Sequence, residues 1–250
     1  ETTRAADDFY VLSSRFTLSG TGSASFSYIL RADTDFILNT DASFASTAGR
    51  TVSITAGNRI RSNNFSISTA GADLTLTAQS MTLGAVTAGD VATGFGALTI
   101  NVTRVGQSAT QSGVFSGGSL TKQGAGSLVL SQANTYTGDT TIEAGTLSAK
   151  NAQALSQGKV TVADGATLNI DGVTLALASG LDLSGTGAGG VGALTGTGTA
   201  AYTGGVTLIT DSTIGAATAS DQLTVSGTIS GSGKLEKTGA GKVTLSAANT

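Results

Sequence analysis

Ser119-Leu-Thr-Lys-Gln-Gly-Ala-Gly-Ser-Leu-Val-Leu-Ser-Gln-Ala-Asn-Thr135 returns 115 residues later as Lys234-Leu-Glu-Lys-Thr-Gly-Ala-Gly-Lys-Val-Thr-Leu-Ser-Ala-Ala-Asn-Thr250. The two copies share Leu120/Leu235, Lys122/Lys237, Gly124/Gly239, Gly126/Gly241, Leu130/Leu245, Ser131/Ser246 and Asn134/Asn249. In each copy two short stretches of alternating polarity flank a Gly-Ala-Gly break, the pattern of two strands around a tight turn. A motif that recurs at such a distance belongs to a stacked repeat architecture. The offset of 115 residues corresponds to about five repeat units of 20–24 residues.

That unit length comes from the rest of the chain. Alternation with period two recurs in Thr51-Val-Ser-Ile-Thr55, Asp73-Leu-Thr-Leu-Thr77, Leu98-Thr-Ile-Asn-Val102, Val160-Thr-Val162, Thr167-Leu-Asn-Ile170 and Leu223-Thr-Val225. Each stretch buries one face and wets the other. Val52, Leu74, Leu98 and Leu120 are separated by 22, 24 and 22 residues, with Ile142 another 22 on and Val162 a further 20. Three short strands and three turns fit into such a period. The spacing therefore predicts an all-β, right-handed parallel β-helix (a β-solenoid) of about eleven rungs. A β-sandwich would need tight hairpins, yet Asp164-Gly165 and Asp171-Gly172 are the only Asn-Gly or Asp-Gly steps.

Composition agrees with strands and excludes much chemistry. The 250 residues include 36 Gly, no Pro, Cys, His or Trp, and only 12% charged residues. Thr, Ser and Gly rank low in helices. A mean hydropathy of +0.19 with a net charge of −3 does not describe a disordered chain. Without Cys or His there is no disulfide, no Ser-His-Asp or Cys-His unit and no common zinc site. The calcium-binding Gly-Gly-x-Gly-x-Asp tandem is missing too. No apolar run reaches the length of a membrane-spanning helix. An acidic balance (pI about 4.8) without basic clusters gives no footprint for nucleic acid.

Texture shifts once along the chain. All seven Arg precede residue 105, all six Lys follow residue 121, and seven of eight Phe lie at or before Phe95. Two regions are expected. Residues 1–112 are N-terminal β-helical rungs or a cap, richer in Phe and Arg. Residues 113–250 are regular β-helix carrying the repeats at 119–170 and 227–250, with a truncated C-terminal end. Glu1 to Leu12, with Phe9, Tyr10 and Val11, is expected either to cap the first rung or to pair with another subunit.

The stretch from Ser119 to Ile170 resembles the autotransporter-associated β-strand repeat, also called the passenger-associated transport repeat. The resemblance runs through Leu120-Thr-Lys-Gln-Gly-Ala-Gly126, Leu128-Val-Leu-Ser131, Asn134-Thr-Tyr-Thr-Gly-Asp-Thr-Thr141, Ile142-Glu-Ala-Gly-Thr-Leu147, Gly158-Lys-Val-Thr-Val162 and Gly165-Ala-Thr-Leu168. Gly227 to Thr250 carries the opening half again. The motif residues are thus Leu120, Lys122, Gly124, Gly126, Leu130, Asn134, Tyr136, Gly138, Gly145 and Leu147, with Leu235, Lys237, Gly239, Gly241, Leu245 and Asn249 in the second copy. The resemblance implies a passenger domain secreted by a Gram-negative type V system and displayed at the cell surface or released. Its partner during secretion is an outer-membrane translocator barrel. It implies a non-catalytic scaffold or adhesin stalk that needs no cofactor and meets a host or bacterial surface glycan or protein. Two readings stay open beside it: a homo-oligomeric fibre or sheath built by end-to-end stacking, and a glycan-active β-helix enzyme.

Individual residues carry their own expectations. Gly124 and Gly126 permit a tight turn with positive φ; a phosphate loop would need a helix start after them, and none follows. Asn134 suits a corner where its amide bonds the neighbouring rung or its own backbone, and Tyr136 packs over that corner. Arg31, Asp33 and Asp35 alternate on a strand-like stretch, so all three side chains should share one face. Two carboxylates so placed are what an acid–base glycan-cleaving site needs, and a solvated face with weak ion pairs is the plainer reading. Arg59 and Arg61 form a second such pair.

Overall fold

A computed structural model describes residues 8–11, 16–19, 28–45, 49–89 and 96–250. Their strands stack in parallel, turn upon turn, into a β-solenoid with three sides. The one helical element among the described residues is a 3₁₀ turn at Ala188–Gly190. The expected fold class is what the chain adopts.

The first side runs from Tyr28–Ala32 through Thr51–Ala56, Asp73–Ala78, Leu98–Val102 and Leu120–Gln123 to Ile229–Gly231. Nine circuits separate its first and last strands, slightly fewer than the eleven rungs expected from 250 residues, with part-turns beyond at each end. At about 4.8 Å per circuit the stack between them is roughly 43 Å long. The second side includes Asp35–Leu38, Ser127–Leu130, Gly145–Ala149 and Leu235–Thr238. Asp8–Val11 is also a strand of this side, in parallel register with Asp35–Leu38. The rest of the segment expected to form a cap lies outside the described residues.

The register explains why the hydrophobic period was visible. Val52, Leu74, Leu98 and Leu120 stack directly over one another, as the spacing predicts. The next step is a correction. Leu120 lies under Thr140, a step of 20 residues, and Ile142 lies over Lys122. The 22-residue interval from Leu120 to Ile142 joins two inward positions that belong to different ladders.

Inward side chains form continuous columns. On the second side Phe36, Ile60, Met81, Ala109, Leu128, Leu147, Leu168, Leu194 and Ile214 are aligned and buried. Fully burying one such large side chain contributes about 1.5–3 kcal/mol, much of it offset by the chain ordering each strand requires. Outward positions are mostly Thr and Ser, including the stacked Thr75, Thr99, Thr121, Thr141 and Thr161. Among the described residues no buried side-chain polar atom lacks a hydrogen-bond partner.

The third side is discontinuous. Phe16–Ser19, Ala42–Ala45, Ile67–Thr69, Val86–Ala88 and Phe115–Gly117 make one ladder, and Thr174–Leu175, Thr199–Tyr202, Gln222–Val225 and Lys242–Leu245 make another. Between them, residues 131–138 and 150–158 form no strand. Their backbone still bonds from turn to turn: Thr135 N–H donates to Phe115 C=O at 2.9 Å, Thr137 to Gly117 at 3.0 Å and Asn134 to Gln153 at 2.9 Å. The motif residues that matter most lie around this interruption.

Candidate functional site: the repeat corner

Leu120, Leu128 and Leu130 point inward from the strands on either side of the Gly124-Ala-Gly126 corner and are buried. Gly124 has φ +74°, as the tight-turn expectation requires, and Gly239 matches it at +79°. Gly126 serves a different purpose from the one expected, because it is not among the residues with positive φ. A Cβ there would lie 2.4 Å from Val102 Cγ1 and 2.7 Å from the carbonyl oxygens of Arg104 and Gln107. Its missing side chain lets the preceding turn approach. Gly241 stands in the same position against Thr218 O and Asp221 O, each 2.5 Å from a Cβ built there. At Gly145 the backbone again has positive φ. Gly138 sits at the corner where its N–H donates to Gly118 C=O at 2.9 Å.

Lys122 is the least expected member. It occupies the inward ladder between Ile100 and Ile142 and is completely buried. Its ammonium donates to three backbone carbonyls: Gln123 O at 2.7 Å, Gly124 O at 2.8 Å and Ala144 O at 3.1 Å. Two acceptors belong to its own corner and the third to the next turn. Burial lowers its pKa to about 8, because a cation loses hydration there that three neutral dipoles replace only in part. Lys237 repeats the local half of this, donating to Gly239 O, yet it is exposed.

Asn134 stitches three turns together. Its Oδ1 accepts from Phe115 N–H of the turn before at 2.8 Å and also from Gln111 Nε2. Its Nδ2 donates to Ala154 O of the turn after at 2.8 Å. Asn249 repeats the first contact, with Ile229 N–H donating to its Oδ1 at 2.9 Å. Tyr136 is a packing residue, 5% exposed, whose hydroxyl is 2.7 Å from Thr140 Oγ1 in the core ladder. Burial pushes its pKa up to about 12. Leu147 is buried in the second-side column, Leu235 is half-buried, and Leu245 is 41% exposed in the last turn.

The two copies occupy different sides of the solenoid. Leu120–Gln123 is a first-side strand, whereas Leu235–Thr238 continues the second side over Ser212–Gly215. The offset of about five rungs is five circuits plus one side. Each copy keeps its corner geometry after this rotation, so the motif is a local module that works at either corner.

The acidic and basic residues do not assemble as a strand pattern would have them. A bend at Asp33-Thr34 divides the stretch, leaving Arg31 on a first-side strand and Asp35 on a second-side one. Asp35 is buried. Its Oδ1 accepts from Asn58 Nδ2 at 2.8 Å, and its Oδ2 accepts from Arg59, with Nε at 2.9 Å. This carboxylate is buried and holds one turn to the next, whereas Asp33 is exposed at the bend. Arg59 and Arg61 do flank Ile60 on one outward face, lining a shallow depression of about 280 Å³ with Ser80, Thr82, Ser108 and Thr110.

Sequence reading missed a set of carboxylates with the same task. Asp41, Asp73, Asp139 and Asp211 each accept a backbone N–H from the following turn, from Ser66, Ala97, Lys159 and Lys234, at 2.7–2.8 Å. Asp221 reaches the preceding turn through Gly198 N–H at 2.7 Å and also binds Thr218. These bonds, Gly198 first, hold its carboxyl below the usual range. The signal was available only as an Asp placed 20–25 residues before its partner, and turn lengths that vary within that range conceal it. Among the described residues no group of three or more His, Cys, Asp and Glu side chains could hold a metal ion.

Parallel turns joined by buried ladders and by side chains that bridge one turn to the next define a repeat protein of the β-solenoid class. Residues 120–149 and 235–250 match the family model of the passenger-associated-transport-repeat, so the chain carries the repeat of autotransporter passengers. No curated protein and no solved structure matches the chain. The repeat points to a passenger that is displayed at the surface or secreted and that associates with an outer-membrane translocator.

Proposed function

We propose that the chain is a non-catalytic structural scaffold of a type V secretion passenger, serving as the stalk of an adhesin. The observation that carries this reading is where the motif side chains point. Lys122, Asn134 and the corner aspartates have their polar groups engaged in joining a turn to its neighbour, which leaves them unsuited to acting on a substrate. Such a rod gains stability between adjacent turns and can grow turn by turn, which suits a chain emerging from a translocator. The absence of Cys and Pro removes premature bridges and slow prolyl isomerisation from that process. The change of texture near residue 112 is, in this reading, a change of surface along one continuous rod. The test places the chain between an epitope tag and an outer-membrane barrel in a Gram-negative host. The tag should become accessible to antibody on intact cells, and Asn134→Ala should reduce that display. A chain that blocks export, or that degrades acidic polysaccharide with Asp33 and Asp35 required, would contradict the reading.

A second reading is a fibre subunit. It draws on the parallel stacking itself, whose turns would pair with a like turn of a second copy brought to an end of the stack. Open strand edges are templates for association. Filaments that lengthen with protein concentration in electron micrographs would favour it over a stalk of isolated rods.

A further inference from the structure

The interrupted third side leaves a groove that the stalk reading does not use. Residues 133–137, 153 and 155–157 line a depression of about 470 Å³, and residues 176–178 and 203–205 line one of about 390 Å³. Gln157 is a wall of both, so the two run together along the solenoid axis over four successive turns. At about 4.8 Å per turn the path is roughly 15 Å long. Its floor includes the buried Leu155, Leu177 and Tyr136. Its rim carries the exposed Thr135, Thr137, Gln153, Gln157 and Thr203. Among the described residues no charged side chain lines either depression.

We infer that this groove binds an uncharged, extended glycan lying parallel to the solenoid axis. Three observations select that ligand. The lining offers apolar surface beside amides and hydroxyls, which matches the C–H faces and hydroxyls of a neutral sugar and gives an anionic one nothing to pair with. The Gln153 side-chain amide and the Gln157 Nε2 have no partner among the described residues, while Gln157 Oε1 accepts from Ala178 N–H at 3.3 Å. The turn spacing is close to the length one hexose adds to an extended chain, so successive turns address successive sugars. A peptide adding as a strand is disfavoured. The N–H groups of Asn134, Thr135, Thr137 and Gly138 already donate to neighbouring turns, and Ala154 O is taken by Asn134. The floor is also preorganised, since Tyr136 and Asn134 are fixed by bonds to Thr140, Phe115 and Ala154.

The inference deepens the adhesin part of the reading above and rests on it for biological meaning. The purified chain is titrated calorimetrically with cellohexaose, laminarihexaose and maltohexaose, with polygalacturonate and an extended Thr/Ser peptide as comparisons. Saturable binding of at least one neutral hexasaccharide is expected. Gln153→Ala with Gln157→Ala should weaken it roughly tenfold or more, the effect of about two lost hydrogen bonds. Arg61→Gln should leave it unchanged. Thr135→Arg, which places a bulky cation on the rim without touching the floor, provides a second block should the double variant unfold. Binding of none of the three neutral glycans, binding only of polygalacturonate or the peptide, or binding that survives both blocks would overturn the inference. Surface display is read separately, so failure here leaves the stalk standing, and failed display leaves the groove measurable.

Discussion

Lys122 stands where Ile100 and Ile142 stand in the turns below and above it, and its charge is met only by carbonyl dipoles. With a folded pKa of about 8 against an unfolded value of 10.5, the unfolded chain holds the extra proton between those values. Stability should therefore rise as pH rises from 8 towards 10, by an amount on the order of 2–3 kcal/mol. Tyr136 and Tyr202 act oppositely, because burial raises both pKa values and the unfolded phenols ionise first, so stability should fall above about pH 10. Urea midpoints measured from pH 7 to 11 should describe this hump. Lys122→Met should erase the rise between pH 8 and 10. At pH 7 it should stay within about 1 kcal/mol of the parent, since relief of the buried charge is set against three stranded carbonyls. A hump unchanged in Lys122→Met would assign the rise to another group. Asn134→Ala removes bonds to the turns on both sides and should cost about 2–4 kcal/mol, read in the same unfolding experiment. The sequence displays Lys122 and Asn134 as repeated letters, and a corner asparagine reads from its neighbours there, but which group its amide takes does not. That Lys122 faces inward was not legible: a lysine in an alternating strand reads as wet until the register places isoleucines above and below it.

At the scale of the element, the corner glycines separate two causes of the same letter. Gly126→Ala puts a methyl group into the preceding turn and should strongly destabilise or prevent stacking there. Gly165 has φ +75° and nothing within 4 Å of a built Cβ, so Gly165→Ala should cost only the left-handed backbone strain, about 1 kcal/mol. Thermal unfolding of the two variants should differ plainly, and equal losses would contradict the assignment of close approach to Gly126. Strands such as Asp73–Ala78 and Leu98–Val102 were legible because alternation and stacking coincide in them. Around Leu120 to Ile142 the period misled, since a turn of 20 residues moves the next large apolar residue to the neighbouring ladder. The strand-free stretches at 131–138 and 150–158 carried no sequence signal of their own, because their backbone pairs between turns without forming strand ladders. The groove they leave was invisible for that reason.

At the scale of the molecule, contact passes almost wholly between adjacent turns, the bond from Ser112 Oγ to Asn63 O at 2.7 Å being one that spans two, so stability is close to a chain of nearest-neighbour terms. Two copies of one motif on different sides, with turn lengths along the first side of 20–25 residues, indicate that the motif's stitching is not confined to one side. The register itself is the central claim, and the chain has no native Cys to confuse a cross-linking test. Thr99, Thr121 and Thr141 are outward neighbours on three consecutive turns. Neighbouring strands at about 4.8 Å fall within the Cα separation a disulfide spans, whereas two turns, at nearly 10 Å, do not. Oxidation should close Thr99→Cys with Thr121→Cys, and Thr121→Cys with Thr141→Cys, within one molecule, while Thr99→Cys with Thr141→Cys stays open. Closure of the skipped pair, or failure of both adjacent pairs in a folded protein, would contradict the stacked parallel turns on which the rest depends.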